Sequence, residues 1–495
     1  MLFKQIYDTT LAQAAYLIGC QRTGEALIID PERDVDRYID IARAEGLRIT
    51  SVAETHIHAD FLSGTRELVE RTGARAYLSA DGGDDWQYEW LDKHSDGGSY
   101  QHTLLHHGDD FNVGNIRITA LHTPGHTPEH LSYLVTDIGG GASEPMGIAT
   151  GDFVFVGDVG RPDLLETAAG LIGEKEPSAR TLYESLKQFV ALPDYLQVWP
   201  GHGAGSACGK ALGAIPQSTV GYEKRFNNAV TQSTGDESTF VASILSGQPD
   251  PPPYFARMKR ENKRGPALLG ATPDPHPGHV ADVVAELSAN STTSEVVVVD
   301  TRLWAKFATG HIAGALHAPM NKSFPTIVGS YIDPAQSIWI VADVARVREA
   351  VLGLIRVGLD SITGYITPDD IDSWVADGNG ASIQQIAIDE FVTRVQNGGV
   401  HVLDVRANSE FADGHVEGAQ NIVHTRLATQ LDEIPRDMPL YVHCETGARA
   451  AYAVALLAHE GFEPIYVLGG GYPQIAAAGA STTTDTVQAN NVTSN

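Results

Sequence analysis

Four short segments of this 495-residue chain carry side chains suited to binding a metal ion: Thr55-His56-Ile57-His58-Ala59-Asp60, Thr123-Pro124-Gly125-His126, Thr150-Gly151-Asp152 and Pro200-Gly201-His202. Imidazole and carboxylate together suit zinc, iron or manganese. Each segment follows an apolar run of strand character, and side chains at strand ends converge in the crevice of an α/β sheet, so distant segments can share one ion. One isolated His and Asp pair would read as turn and capping residues; four segments in this order read as a metal centre. A second chemistry lies near the C-terminus, where Cys444 closes the apolar run Leu440-Tyr441-Val442-His443 and opens Cys444-Glu445-Thr446-Gly447-Ala448-Arg449 before an Ala-rich stretch. A thiol between a strand end and a helix N-terminus faces backbone N–H groups and the positive end of the helix dipole, which favours a nucleophilic thiolate.

Holding two such sites takes more than one domain, and the chain length argues for about three at ~150 residues each. Residues 1–245 read as strands near 3–7 and 26–29, a helix over 35–45 and a strand over 49–54 that enters the first histidine segment, which predicts a mixed α/β sandwich. The Pro-rich stretch from Gln248 to Tyr254 and the basic run Lys259 to Arg264 read as an extended linker over 246–268. Beyond it the chain repeats itself. Asp300-Thr301-Arg302, Phe307, Gly310-His311-Ile312 and Gly314-Ala315 recur in the same register as Asp404-Val405-Arg406, Phe411, Gly414-His415-Val416 and Gly418-Ala419. Each copy opens on an apolar run that suits a strand buried on both faces, so two α/β domains are expected at 269–376 and 377–480, followed by a disordered tail at 481–495.

Composition narrows the partners. Thirty-four Lys and Arg against 62 Asp and Glu leave a net charge of −28, which repels phosphate backbones and anionic lipid and argues against nucleic acid or membrane. The N-terminus lacks the pattern of a secretory signal, and no apolar run reaches the length of a membrane span. Three widely separated cysteines, Cys20, Cys208 and Cys444, do not make a disulfide framework and fit a reducing cytoplasm. Cys20 reads as a core residue of a strand. Cys208, in the Gly-rich loop after His202, reads either as a small buried residue or as a relay thiol.

The order His-x-His-x-Asp, Pro-Gly-His-Thr, Thr-Gly-Asp and Pro-Gly-His resembles the metallo-β-lactamase superfamily, which implies an αββα sandwich for the first domain. Members with two metals continue the first motif with a histidine, where this chain has Phe61; a second site would otherwise draw on Asp60, Asp152 and His202. Two histidines and one carboxylate, His56, His126 and Asp152, remain as a facial set for a non-haem ferrous ion. The resemblance narrows to the persulfide dioxygenase branch, in which these three positions hold a mononuclear iron. It implies one Fe(II) per chain, with a low-molecular-weight persulfide, O2 and sulfite as small-molecule partners. His58, Asp60 and His202 then become groups that orient the ligands. Arg161, in Gly160-Arg161-Pro162-Asp163, either clamps a carboxylate or phosphate of the persulfide carrier or pairs with Asp158 or Asp163.

The loop Cys444-x-x-Gly447-x-Arg449, with Asp404-Val405-Arg406 and Gly414-His415 upstream, resembles rhodanese, the sulfurtransferase family. That resemblance makes Cys444 the carrier of a persulfide sulfur and Arg449 the holder of an anionic acceptor. The middle copy has Ile338 to Val344 at the equivalent place, with no cysteine, and is expected to be an inactive rhodanese-like domain that docks or positions its neighbours. The combined expectation is a persulfide dioxygenase that makes sulfite, fused to a transferase that makes thiosulfate. Its rivals are a zinc-dependent hydrolase of thioesters resembling glyoxalase II, and a non-catalytic sulfur carrier or redox sensor. The sequence leaves a homo-oligomer open.

Overall fold

The structure is a computed structural model describing residues 1–167, 173–210, 212–289 and 295–485. It divides into two compact units, one of residues 1–273 with 352–358 and one of 274–351 with 359–495. In the first unit, strands Leu2–Asp8, Gln13–Cys20, Glu25–Ile29, Arg48–Ala53, Arg75–Ser79 and His102–Leu105 lie side by side in one six-stranded sheet. A second sheet runs Ser218–Thr219, Gln197–Pro200, Gly147–Gly151, Leu131–Thr136, Ile116–His122 and Asp110–Val113. The strand Gln13–Cys20 shows why the two stack. It is buried along its whole length, and its period of two sends Ala14, Tyr16, Ile18 and Cys20 toward Ile118 and Tyr133 of the second sheet, while Ala15 and Leu17 face the helix residues Tyr38 and Leu68. The far side of the second sheet is covered by Leu182, Leu186 and Phe240 of further helices, completing four layers.

Strands Ile116–His122, Gly147–Gly151 and Gln197–Pro200 point the same way, since Leu131–Thr136 is antiparallel to the first two and the last two are parallel. Their C-terminal ends therefore open on one edge, and His126, Asp152 and His202 follow them there; Arg48–Ala53 of the other sheet delivers His56.

The expected extended linker is a correction: Tyr254–Arg264 is an α-helix of the first unit. Pro251, Pro252 and Pro253 precede the helix rather than holding an extended chain, and Tyr254, Phe255, Met258 and Asn262 form a buried face beneath the basic residues that dominate the composition.

The second unit holds two five-stranded sheets of parallel strands, one of His276–Pro277, Ile362–Ile366, Ser337–Val341, Val296–Asp300 and Leu316–His317, the other of Gln384–Ala387, Pro464–Leu468, Leu440–His443, His401–Asp404 and Gln420–Asn421. The order is the same in both, so the repeated sequence is a repeated topology. Its signature residues carry structure: Arg302 Nη2 binds Asp300 Oδ2 at 2.7 Å and the Gly310 carbonyl at 2.8 Å, as Arg406 binds Asp404 and Gly414 at 2.6 Å each. His311 stacks on Phe307 and His415 on Phe411, with centroids 4.0 and 3.6 Å apart. Part of the expected tail is ordered, Thr482–Thr483 pairing with His415–Val416, while residues 486–495 lie outside the described residues. Among the described residues, no helix is long and apolar enough to cross a membrane.

Candidate metal centre and cysteine loop

His56, His126 and Asp152 come together as three buried groups whose ligand atoms all lie within 4.8 Å of one another. Asp152 Oδ2 is 3.5 Å from His126 Nε2 and 3.9 Å from His56 Nε2, and it is buried with no hydrogen-bond partner among the described residues. The other ring nitrogens are occupied: His56 Nδ1 lies 2.9 Å from Thr55 Oγ1 and His126 Nδ1 3.0 Å from the Arg161 carbonyl oxygen. Both imidazoles thus turn Nε2 toward the orphaned carboxylate oxygen, and burial holds both rings below the usual histidine range, in the neutral form a ligand needs. Two neutral imidazoles and an unsatisfied buried carboxylate oxygen fit a divalent cation.

The surroundings fix this geometry. Asp152 N donates to His130 Nε2 at 3.1 Å, and His130 Nδ1 lies 2.9 Å from Thr123 Oγ1. His202 sits between two carboxylates, Nδ1 at 2.7 Å from Asp152 Oδ1 and Nε2 at 2.8 Å from Asp60 Oδ2. Burial opposes charge on this ring, but Asp152 and Asp60 lift its pKa well above the usual range, favouring the protonated ring that pins Asp152. Burial likewise opposes the Asp152 carboxylate, and His202, His56 and His126 hold its pKa well below the usual range. Gly160 lies so near that a Cβ there would stand 1.8 Å from the Asp152 carbonyl oxygen.

His58 is bound outside this group: its Nε2 is 3.2 Å from Asp30 Oδ1, and although burial opposes its charge, Asp30 raises its pKa to about 9. Phe61 is fully buried with its ring 4.4 Å from that of His58. Arg161 takes the second of its two expected forms. It is buried, and Nε and Nη2 form a fork with Asp163 at 2.8 and 2.6 Å, so those donors are not turned to a ligand. Cys208 is buried too, and joins Asp60 and His202 in a second cluster with ligand atoms within 4.8 Å. Burial, Asp60 and Asp152 push its thiol well above the usual range, away from the thiolate that a relay needs.

The cysteine loop follows the strand-loop-helix reading. Cys444 comes directly after Leu440–His443, its Sγ accepts the Gly447 N–H at 3.1 Å, and the helix Ala448–His459 starts next. Gly447 has φ +97, a left-handed conformation that suits glycine. Arg449 is held by both oxygens of Glu410, at 2.5 and 2.7 Å. In the middle copy Ala342 follows the equivalent strand, Ser337–Val341.

Residues 8–202 match the Metallo-beta-lactamase superfamily and residues 387–478 the Rhodanese-like domain family. A crystal structure described as a metallo-beta-lactamase from Staphylococcus aureus subsp. aureus COL is 43% identical, covering 74% of this chain and 99% of that one with a TM-score of 0.65. The chain belongs to the metallo-beta-lactamase superfamily. A crystal structure of ETHE1 from Myxococcus xanthus is 27% identical over 53% of this chain and 98% of that one, with a TM-score of 0.41. The Beta-lactamase hydrolase-like protein of Xylella fastidiosa (strain 9a5c) is 29% identical over 48% of this chain, which spans 53% of that relative's length.

Three residues that shape the centre of this metallo-beta-lactamase-superfamily chain gave no signal in the sequence. Asp30, at φ +51, accepts the Thr55 N–H at 2.7 Å and sets the entry to the first histidine segment. Glu129 Oε1 accepts the Ile57 N–H at 2.8 Å. Asn262 Nδ2 donates to the carbonyls of His58 and Phe61 at 2.8 and 2.7 Å, and its Oδ1 accepts the Ser63 N–H at 2.8 Å, clamping the segment. An Asp, a Glu and an Asn with no partner at a fixed spacing look like any surface residue.

Proposed function

We propose that the chain is a persulfide dioxygenase coupled to a rhodanese-type sulfur transfer. The observation that carries this reading is the orphaned Asp152 Oδ2 facing His56 Nε2 and His126 Nε2, a facial set of two histidines and one carboxylate. A ferrous ion held by His56, His126 and Asp152 would supply the redox chemistry that takes the terminal sulfur of a persulfide to sulfite: RSSH + O2 + H2O → RSH + SO3²⁻ + 2H⁺. The protein's part is to orient. His202 keeps Asp152 ionised and in place, Thr55 and the Arg161 carbonyl fix the two ring orientations, and Phe61 packs against the His58 ring. In the last domain, Cys444 accepts a sulfane sulfur from a persulfide, and sulfite attack on it gives thiosulfate: Cys444-S-S⁻ + SO3²⁻ → Cys444-S⁻ + S2O3²⁻. Fusion in one chain raises the effective concentration of the shared intermediate. The middle copy is a rhodanese-like domain without a nucleophile.

One observation favours a second reading, a two-metal hydrolase: Asp60, His202 and Cys208 form a second buried group of ligand type. Metal analysis separates the two. Protein purified without air is expected to hold one iron per chain, lost on His126→Ala; two firmly held zinc ions per chain would favour the hydrolase and overturn the dioxygenase.

A further inference from the structure

The middle copy has lost the cysteine but not its contacts with the last domain, and those contacts converge on the segments around Cys444. Tyr466, in strand Pro464–Leu468, rests its hydroxyl on the Gly447 carbonyl at 3.4 Å, and a Cβ on Gly447 would come within 2.4 Å of that hydroxyl. The phenol thus lies against the cysteine loop; burial and then the nearby Cys444 raise its pKa to about 12. The ring of Tyr466 packs on Trp304 of the middle copy, centroids 4.7 Å apart. Trp304 is held in turn by Phe307 and His317, at 5.9 and 5.4 Å, and its indole N–H is buried without a hydrogen-bond partner. A second contact reaches the turn at His424, whose carbonyl accepts the Tyr331 hydroxyl at 3.0 Å. Arg449 and Glu410 are the charged groups bearing on His424, so this turn borders the arginine of the cysteine loop. A third set grips the helix that begins at the loop: His459 Nδ1 lies 2.6 Å from the Gly314 carbonyl oxygen, and Tyr452 packs on His317 at 5.9 Å.

We propose that the middle copy is a positioning part of the Cys444 site, with Trp304 seating Tyr466 on the cysteine loop and Tyr331 holding the His424 turn. This rests on the transfer role proposed for Cys444. A spacer would need only some joining surface; here the tyrosine that rests on the loop glycine, the turn beside Arg449 and the following helix are each contacted from the middle copy. Because the Trp304 N–H binds nothing in the described structure, the ring acts by packing, and a phenyl ring can stand in for it. With the indole removed, Tyr466 loses its backing, the loop loosens, and the anionic sulfur donor is held less well.

The test uses the full-length chain with Trp304→Ala, Trp304→Phe and Tyr331→Phe, measuring sulfur transfer from thiosulfate to cyanide, thermal unfolding, and the rate of Cys444 labelling by iodoacetamide in peptide-resolved mass spectrometry. Trp304→Ala is expected to raise the KM for thiosulfate about five- to tenfold with kcat within about twofold, and to speed Cys444 labelling severalfold, while Trp304→Phe restores both. Tyr331→Phe, which removes one hydroxyl and no packing, should move both readings in the same direction by less, and it decides the matter if Trp304→Ala fails to fold. Wild-type KM and labelling in Trp304→Ala would overturn the inference, as would equal losses in the Ala and Phe variants. If the wild-type chain transfers no sulfur, the transfer role itself has failed, and the labelling rates alone decide whether the middle copy positions the loop.

Discussion

Asp152 Oδ2 is a buried carboxylate oxygen without a hydrogen-bond partner among the described residues, and leaving such a group unsatisfied is costly unless a cation binds there. The cluster was legible because His and Asp at strand ends carry their chemistry in their side chains: His56, His126 and Asp152, grouped as a candidate ligand set, have ligand atoms within 4.8 Å of one another. Their partners were not. Asp30 acts through a left-handed backbone and His130 through a hydrogen bond to the Asp152 N–H, features that appear only once the chain is folded. Arg161, open between two roles in the sequence, pairs with Asp163 through Nε and Nη2. The cysteine supplies the cleanest prediction at this scale. Cys444→Ser should spare oxygen uptake, because no metal-type ligand is touched, and should shift the product from thiosulfate to sulfite, since a hydroxyl protonated near neutral pH carries no labile sulfane sulfur. Product speciation by thiol-reactive labelling and chromatography reads the shift. Thiosulfate at the natural rate, after correction for spontaneous sulfite chemistry, would contradict it.

Among the elements, strands declared themselves better than the segments that brace them. The buried run Val296–Asp300 and the strand-loop-helix around Cys444 have the expected form, because apolar runs and turn glycines are local signals. The repeat was legible for a related reason: Asp300, Arg302 and Gly310 form the same hydrogen-bonded staple as Asp404, Arg406 and Gly414, so the repeated residues are the ones the fold uses. Helix Tyr254–Arg264 was missed because its charged surface outweighs four buried residues in any compositional reading. Its Asn262 yields a test. Asn262→Ala leaves two carbonyls and one N–H of the His58–Ser63 segment without their partner, at about 1–3 kcal/mol for each group that water does not reach. A lowered melting temperature and weaker metal retention are expected, with iron content and calorimetry measured on the same preparation. Undiminished metal retention would mean that the helix braces the fold alone.

At the scale of the whole molecule, one chain joins a metallo-beta-lactamase domain to a rhodanese-like domain. The second unit should also respond to acid in a defined way. Burial presses His317 and His424 from 6.5 to about 4, so both are neutral when folded, whereas the unfolded chain takes up their protons below pH 6.5. Stability falls as pH drops from 6.5 toward 4, by about 2 kcal/mol at pH 5 for His317 alone. Calorimetry at pH 7 and pH 5 should show this, and His317→Gln should flatten the dependence; an unchanged slope in that variant would assign the acid sensitivity elsewhere. The central claim concerns the metal centre, and the most direct test is oxygen uptake by the iron-loaded, full-length chain given a panel of low-molecular-weight persulfides in an oxygen electrode. The account predicts one O2 consumed per persulfide oxidised, abolished in Asp152→Ala and His126→Ala and retained in Cys444→Ser. Iron-loaded protein that consumes no oxygen with any persulfide, while hydrolysing a thioester with zinc bound, would contradict it.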